Sequence, residues 1–419
     1  MNPSPTQWTP PPHPKWVDTL NRLGRNLRTA SALVPLDEDS LIAAAKSAAG
    51  GLSDFGDDAW RHPFRLLLTD IENSANLTLI GRLLARHDLV RSLVVRLKLA
   101  EAEQQQPQIL QQPIPEPIFI TGMGRTGTSI LFELLSQDPA LRTPAGWELR
   151  YPYFPSGNEV PTCPVAIEKT RQEVDLWTAI VPEFPSIHEI VVEEPDEDSV
   201  GHLHEFASPV WSALHHAPRY ERWLLSEGTP QAFRFQRRLL QHLQWHRPGQ
   251  WVLKAPAHLA VLPLLFAEFP DARVIQTHRD PCKVLASTAN MMATLKWQRS
   301  DTVRYAEYAQ TISFGYPLLL DMVIEQRQTG TVPNDRFVDV RYADLLAAHL
   351  PAIESIYQQL GLPLSTVAAA KMCAYLQAKP RGRHGSHDYS FAHLGVDEAP
   401  LRAQFANYMA RFNVSQETL

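Results

Sequence analysis

Just after residue 121 the chain sets a glycine turn, a guanidinium and a row of hydroxyls at the start of a helical pattern, a combination suited to holding phosphate. The run Gly122-Met123-Gly124-Arg125-Thr126-Gly127-Thr128-Ser129 has glycines at its first and sixth positions and a hydroxyl at its eighth, the Walker A spacing. Glycines let successive N–H groups curl towards one anion, and the positive end of the following helix adds to them. The lysine expected at the seventh position is Thr128 here. That lysine normally reaches the outer phosphates of a nucleoside triphosphate, so its loss favours a shorter, polyphosphate-like donor with Arg125 as the cation. A bare strand-to-helix turn is the plainer reading, but a guanidinium, three hydroxyls and a glycine within five residues are hard to justify by packing alone.

Such a loop needs a strand before it and a helix after it. Ile118-Phe119-Ile120-Thr121 is a short run of β-formers, and SILFELLSQD follows with helical spacing. Two further runs, 251–254 and 273–277, read as strands buried on both faces with a helical pattern between them, and a fourth run, 336–340, comes before a helical segment that starts near Tyr342. This alternation predicts an α/β fold with a P-loop-type parallel β-sheet flanked by helices. Ahead of it, LDEDSLIAAAKSA, HPFRLLLTDIENSA and LTLIGRLLARHDLVRSLVVRLKLAEAE read as an α-helical N-terminal extension, and QQQPQILQQPIPEP reads as a linker. The predicted division is an extended, proline-rich 1–36, a helical region with its linker over 37–112, and the P-loop-type domain over 113–419.

Composition narrows the function. With 44% hydrophobic residues in 419 the chain can bury a large core. The first fifteen residues hold six prolines and no apolar run, so neither a leader nor a transmembrane segment is expected there, and a cytoplasmic protein is the expectation. Cys163, Cys282 and Cys373 fit neither a disulfide framework nor a zinc site. A net charge of −6 with interspersed signs gives no field for nucleic acid, so any anion site must be local.

Taken together, PIFITGMGRTGTSILFELLSQDPALRTPAGWEL, WVLKAPAHLAVLPLLFAEFPDARVIQTHRDPCKVLAS, VRYADLL and KPRGRHGSHDYS resemble the sulfotransferases that use 3′-phosphoadenosine 5′-phosphosulfate (PAPS), in particular the large bacterial group with an N-terminal helical extension. The resemblance implies transfer of a sulfuryl group from PAPS to a small-molecule hydroxyl, leaving 3′-phosphoadenosine 5′-phosphate, with no metal. It puts Arg125, Thr126, Gly127, Thr128 and Ser129 on the 5′-phosphosulfate, Arg279 and Ser287 on the 3′-phosphate, and Tyr342, Arg381 and Arg383, with His384, around the nucleotide. Arg279 has a plainer role available as an ion-pair partner of Asp280. Gly124 stands where the family usually has proline or another residue, which loosens the loop's entry and alters donor affinity.

Sulfuryl transfer needs an in-line acceptor, a base and cations for the developing charge. Some family members carry a catalytic glutamate at the station of Glu148. Others carry a histidine just after a strand lysine, which points to His258 beside Lys254, although the spacing here is one or two residues longer. Lys254 then suits the bridging oxygen of the leaving group. Glu189 and Glu197 rank below these as bases, because the acidic run Glu193–Asp198 reads most simply as a solvated loop before a helix. His202, His204, His215 and His216 have spacings that point apart on a helix, so metal binding is not expected. Trp147, Tyr151, Tyr153, Phe154, Trp177 and Trp211 fall in the stretch that would cover the acceptor, and any that line it favour an apolar or aromatic alcohol. The rivals are a P-loop kinase or NTPase, with Asp339 imitating a magnesium ligand, and a noncatalytic nucleotide-binding protein. A homodimer is left open.

Overall fold

Five short strands form one sheet in the computed structural model, which describes residues 8–27, 30–153, 163–190, 192–245, 247–379 and 390–418. They are β1 (Ile118–Gly122), β2 (Leu141–Arg142), β3 (Gln250–Lys254), β4 (Arg273–His278) and β5 (Phe337–Arg341), in the order β2-β3-β1-β4-β5. All pairings are parallel, with Phe119 opposite Leu253 and Val274, and Gly122 opposite Thr277. Four of these strands lie where the apolar runs predict them. The two-residue β2, inside DPALRT, is too short to leave a period in the sequence.

The helices that matter below are α1 (Lys15–Leu27), α2 (Glu38–Ala48), α3 (Arg61–Ser74), α4 (Leu79–Gln105), α5 (Thr128–Leu135), α6 (Gly146–Arg150), α7 (Pro164–Ile180), α8 (Thr229–Gln244), α9 (Pro281–Trp297), α10 (Tyr305–Thr329), α11 (Tyr342–Ala347) and α12 (Ala406–Arg411). Successive strand residues face opposite layers, as a pleat requires. Ile118 and Ile120 of β1 pack with Val252, Ile275 and Val338 against Leu131 and Leu135 of α5, while Phe119 packs with Trp251, Leu253 and Val274 against α8, α9 and α10. None of the described helices is long and apolar enough to cross a membrane.

The N-terminal helices build a further core, and α4 belongs to two. Its Leu89, Leu93 and Leu97 pack with Phe64 and Trp60, whereas Val95 and Leu99 join the sheet core around Phe119. The glutamine- and proline-rich segment after α4 is strapped to α8: Gln241 Nε2 donates to the carbonyls of Leu110 and Gln112, each at 2.9 Å, and Gln244 Nε2 donates to that of Pro113, also at 2.9 Å. Ile109 and Ile114 within it are buried.

The expectation of an extended chain up to residue 36 needs correcting, because α1 lies inside that range. The dense prolines stop at Pro14, whose carbonyl accepts from Val17 N at 2.9 Å, and from there the spacing is helical. Val17 is fully buried, and Asn21 Oδ1 accepts from Ile80 N at 3.2 Å.

Where β2 turns into α6, Glu148 accepts from Arg142 Nη1 at 3.0 Å and from Ala145 N at 2.8 Å, so its carboxylate caps the first turn of α6. Both members of the pair are 2% exposed, and the Arg142 guanidinium lies 4.7 Å above the Trp251 ring. Removing one partner strands the other charge in the core, at a cost of about 3–5 kcal/mol. Glu148→Ala should therefore lower the thermal unfolding midpoint clearly. An unchanged midpoint with lost turnover would contradict this structural role.

Candidate active site

The phosphate loop leaves β1 at Gly122 (φ +151°), where an added Cβ would fall 2.4 Å from Thr277 Oγ1. It re-enters helix after Gly127 (φ +88°), where a Cβ would meet the Tyr342 ring at 2.8 Å. Both positions need glycine, one for close approach to β4 and one for the left-handed turn against α11. The first amides of α5 have no intrahelical acceptor, so the loop and helix together form an anion cradle.

Not every hydroxyl of the loop is offered to a ligand. Thr126 is fully buried, and its Oγ1 bonds Met123 O and Thr277 Oγ1, both at 2.6 Å, tying the loop to β4. Thr128 is also buried, whereas Arg125 and Ser129 are exposed and Arg125 Nη1 donates to Ile187 O at 3.1 Å. Thr126 and Thr128 are therefore suited to contribute through their amides, and Arg125 and Ser129 through their side chains.

Arg279 follows β4 directly and is fastened to the same loop. Its Nη1 donates to Arg125 O at 2.8 Å, its guanidinium lies 4.1 Å over the Tyr342 ring, and Nε and Nη2 bind the Glu417 carboxylate at 2.7 and 2.8 Å. Asp280 has its own cation, Arg402, at 2.8 Å, and caps α9 through Cys282 N. Ser287 is buried on α9, and the next residue, Thr288, would stand 3.5 Å from a Cβ on Gly124. Arg381, Arg383 and His384 lie outside the described residues.

Neither leading base candidate faces the loop. The carboxylate of Glu148 is spent on Arg142 and on the cap of α6, as described above. His258 is 2% exposed, with Nε2 3.0 and 2.8 Å from the two oxygens of Asp198 and its ring near Phe119 and Phe233. Its neighbours Ala257 and Leu259 line the cavity described below. Lys254, at the end of β3, does face the loop: Nζ is 3.4 Å from Ser129 Oγ and 2.9 Å from Glu197 Oε1.

The second half of the acidic run is thus not solvated, although Glu193 at its start is exposed. Asp196 pairs with Arg150 at 2.9 Å, Glu197 with Lys254, and Asp198 with His258, so three consecutive carboxylates each have a different basic partner. Burial alone would raise the pKa values of Asp196 and Asp198, but Arg150 and His258 respectively outweigh it and hold both below the ordinary range. Glu189 instead pairs with Lys379 at 3.2 Å. One signal in the sequence was available: Lys254 and His258, four residues apart, imply two nearby anions, and this run supplies them in register.

A cavity of about 390 Å³ opens beside Gly122, Gly124 and Glu197. Its walls are mainly apolar, including Trp177, Phe184, Leu203, Met291, Met292 and Leu319. His188 also faces it, and burial lowers that ring's pKa, favouring the neutral form. The far wall is a polar cluster in which Arg91 pairs with Asp88 and Glu173, and Tyr151 donates to Glu173. Of the aromatics read as acceptor contacts, Trp177 lines the cavity, Tyr151 and Tyr153 line a groove beyond that polar wall, and Trp147 and Trp211 are core. Phe154 lies outside the described residues.

Asp339 is engaged by Arg327 through both oxygens, at 2.7 and 2.8 Å, and by His278 at 2.8 Å. Although burial opposes ionisation, these partners hold its pKa well below the carboxylate range. Among the described residues no group of three or more His, Cys, Asp or Glu could hold a metal ion.

Comparison with known proteins agrees with this architecture. Sulfotransferase STF9 from Mycobacterium avium superposes with a TM-score of 0.81 at 27% identity, covering 91% of this chain and 98% of that one. Sulfotransferase STF1 from Mycobacterium tuberculosis H37Rv gives 0.74 at 29% identity, covering 88% and 98%. In sequence, the chain is 29% identical over 259 residues to the omega-hydroxy-beta-dihydromenaquinone-9 sulfotransferases Stf3 of Mycobacterium bovis and Mycobacterium tuberculosis. That alignment covers 59% of this chain and 63% of those relatives, less than two thirds of their length. A family model described as "Sulfotransferase family" matches residues 117–366, from the start of β1 past β5, and the chain belongs to that family.

Proposed function

We propose that this protein transfers the sulfuryl group of PAPS to the hydroxyl of an apolar small molecule, in line and without a covalent enzyme intermediate. One observation carries the reading: the Lys254–Glu197 pair stands where the phosphate cradle meets an apolar cavity. A cation is needed on the donor side of that junction and a base on the acceptor side.

The donor set suits PAPS chemically, with loop amides, Arg125, Ser129 and Lys254 for the phosphosulfate, and Arg279, Ser287 and Tyr342 for the 3′-phosphate end. PAPS bound there supplies an activated sulfuryl group on a phosphate leaving group. Glu197 takes the acceptor's hydroxyl proton as the new O–S bond forms and the S–O bond to phosphate breaks. Lys254 neutralises the charge on the departing oxygen. The two roles are coupled, because one ion pair supplies both the base and the cation. Glu148 and His258 serve this site from behind, Glu148 by fixing the β2–α6 corner and His258 by holding Asp198 beside Glu197.

The cavity's apolar walls favour a lipid-like alcohol. The curated relatives are named for an omega-hydroxy-dihydromenaquinone acceptor, and an acceptor of the same kind fits this reading. A kinase is disfavoured by Thr128 in place of the loop lysine and by Asp339 being held by Arg327 and His278.

Calorimetric titration tests the donor: 3′-phosphoadenosine 5′-phosphate should bind tightly and ATP with magnesium weakly, and the reverse order would sink the reading in favour of a kinase. Glu197→Gln should reduce kcat by about 10²–10⁴-fold, the usual worth of a general base, while nucleotide affinity stays within about twofold. Unaltered turnover would remove Glu197 from the mechanism. Ala213→Phe, which fills the cavity from its wall, should raise KM for long apolar alcohols and leave donor affinity alone.

A further inference from the structure

Beyond α12 the chain turns at Asn413 (φ +50°), and the residues that follow return to the nucleotide side of the sheet. There Glu417 makes a complete set of bonds. Its carboxylate grips Arg279 in bidentate fashion, Oε1 on Nε at 2.7 Å and Oε2 on Nη2 at 2.8 Å. Its backbone N–H donates to Asp280 Oδ2 at 2.8 Å, and its carbonyl accepts from Arg402 Nη2 at 3.2 Å. The carbonyl of Thr418 accepts from Lys283 Nζ at 2.7 Å. Three cations, Arg279, Lys283 and Arg402, therefore converge on one short stretch of chain.

A surface ion pair does not need this arrangement. Arg279 is already positioned by Arg125 O and the Tyr342 ring, so its fork has a fixed direction before any anion arrives. A planar fork of that kind accepts a carboxylate or two phosphate oxygens equally well. The Glu417 side chain is one-third exposed, whereas that of Arg279 is 14% exposed, so the carboxylate can leave towards solvent while the guanidinium stays.

We propose that Glu417 is a built-in occupant of the anion site required by the donor's 3′-phosphate, and that the donor binds by displacing residues 415–418 from Arg279, which also frees Lys283 Nζ from its backbone acceptor while Arg402 stays paired with Asp280 and Glu398. The inference rests on the assignment of Arg279 to the 3′-phosphate made above. It gives the site a threshold. A dianionic phosphate outcompetes one carboxylate for Arg279, whereas a nucleotide lacking the 3′-phosphate has nothing to offer Arg279 and leaves the segment docked. Apparent affinity for the 3′-phosphorylated ligand is lowered by the fraction of molecules in which the segment is docked.

The test uses two probes that differ by one group, 3′-phosphoadenosine 5′-phosphate and 5′-AMP, titrated calorimetrically into the full chain. Glu417→Gln should tighten the bisphosphate about five- to twentyfold, the range expected when a docked competitor is removed, and leave 5′-AMP within about twofold. A chain stopped after Val414, which keeps that partly buried side chain in the core, should behave like Glu417→Gln. In an Arg279→Met background the bisphosphate should fall towards 5′-AMP, and Glu417→Gln should then have no effect. Unchanged or weaker bisphosphate binding in both Glu417→Gln and the shortened chain overturns the proposal, because Glu417 would then support the site and not compete for it. If Arg279→Met leaves the bisphosphate's advantage over 5′-AMP intact, the assignment of Arg279 fails instead, and the proposal with it.

Discussion

Asp196, Glu197 and Asp198 point to Arg150, Lys254 and His258, and this strip joins three parts of the molecule that are far apart in sequence. Arg150 ends α6, while Lys254 ends β3 and His258 follows it, so the strip ties the corner after β2 to the end of the neighbouring strand. Carboxylates shielded from water in this way are stable only while their cations stay in place. The constraint also works in reverse. Because Asp196 and Asp198 are fixed on either side of it, Glu197 is presented to Lys254 and the cavity without freedom to swing away, which is the preorganisation a transfer site requires.

The same junction divides the site by polarity. On one side lie the cradle of amides, Arg125 and Arg279; on the other lies a cavity walled by side chains such as Trp177, Met291 and Leu319. Lys254 stands at the boundary, within reach of Ser129 in the loop and of Glu197 by the cavity. A charged donor and an apolar acceptor can then meet at one ammonium and one carboxylate, with the His188 ring close by. Such a division lets the acceptor side vary while the donor side is kept.

Much of this was legible from residue types alone, because its signals are local. The glycine loop, the four longer strands and the helices between them each leave a period or a spacing, and they stand where those predict. The elements that depart from that expectation lack such local signals. Helix α1 was masked by nearby prolines that in fact stop at its first turn, and β2 is two residues long. Glu148 has the position of a base relative to the loop, yet its environment depends on Arg142, which pairs with it only once β2 has formed. Glu197 lies in a run whose composition suggests solvent, and its partner is more than fifty residues away. Burial and pairing in the folded chain, with a partner six residues away for Glu148 and fifty-seven for Glu197, decide how each carboxylate is used, and spacing along the chain does not carry that information.

If Lys254 and Glu197 act in one transition state, their losses must overlap. The decisive measurement is the single-turnover rate of sulfuryl transfer to one hydroxylated apolar acceptor for Lys254→Met, Glu197→Gln and the double variant. The account predicts that the double variant is no more than about tenfold slower than the worse single variant, as expected for groups that work as a unit. Losses that multiply independently would contradict it, and would separate the cation of the donor side from the base of the acceptor side.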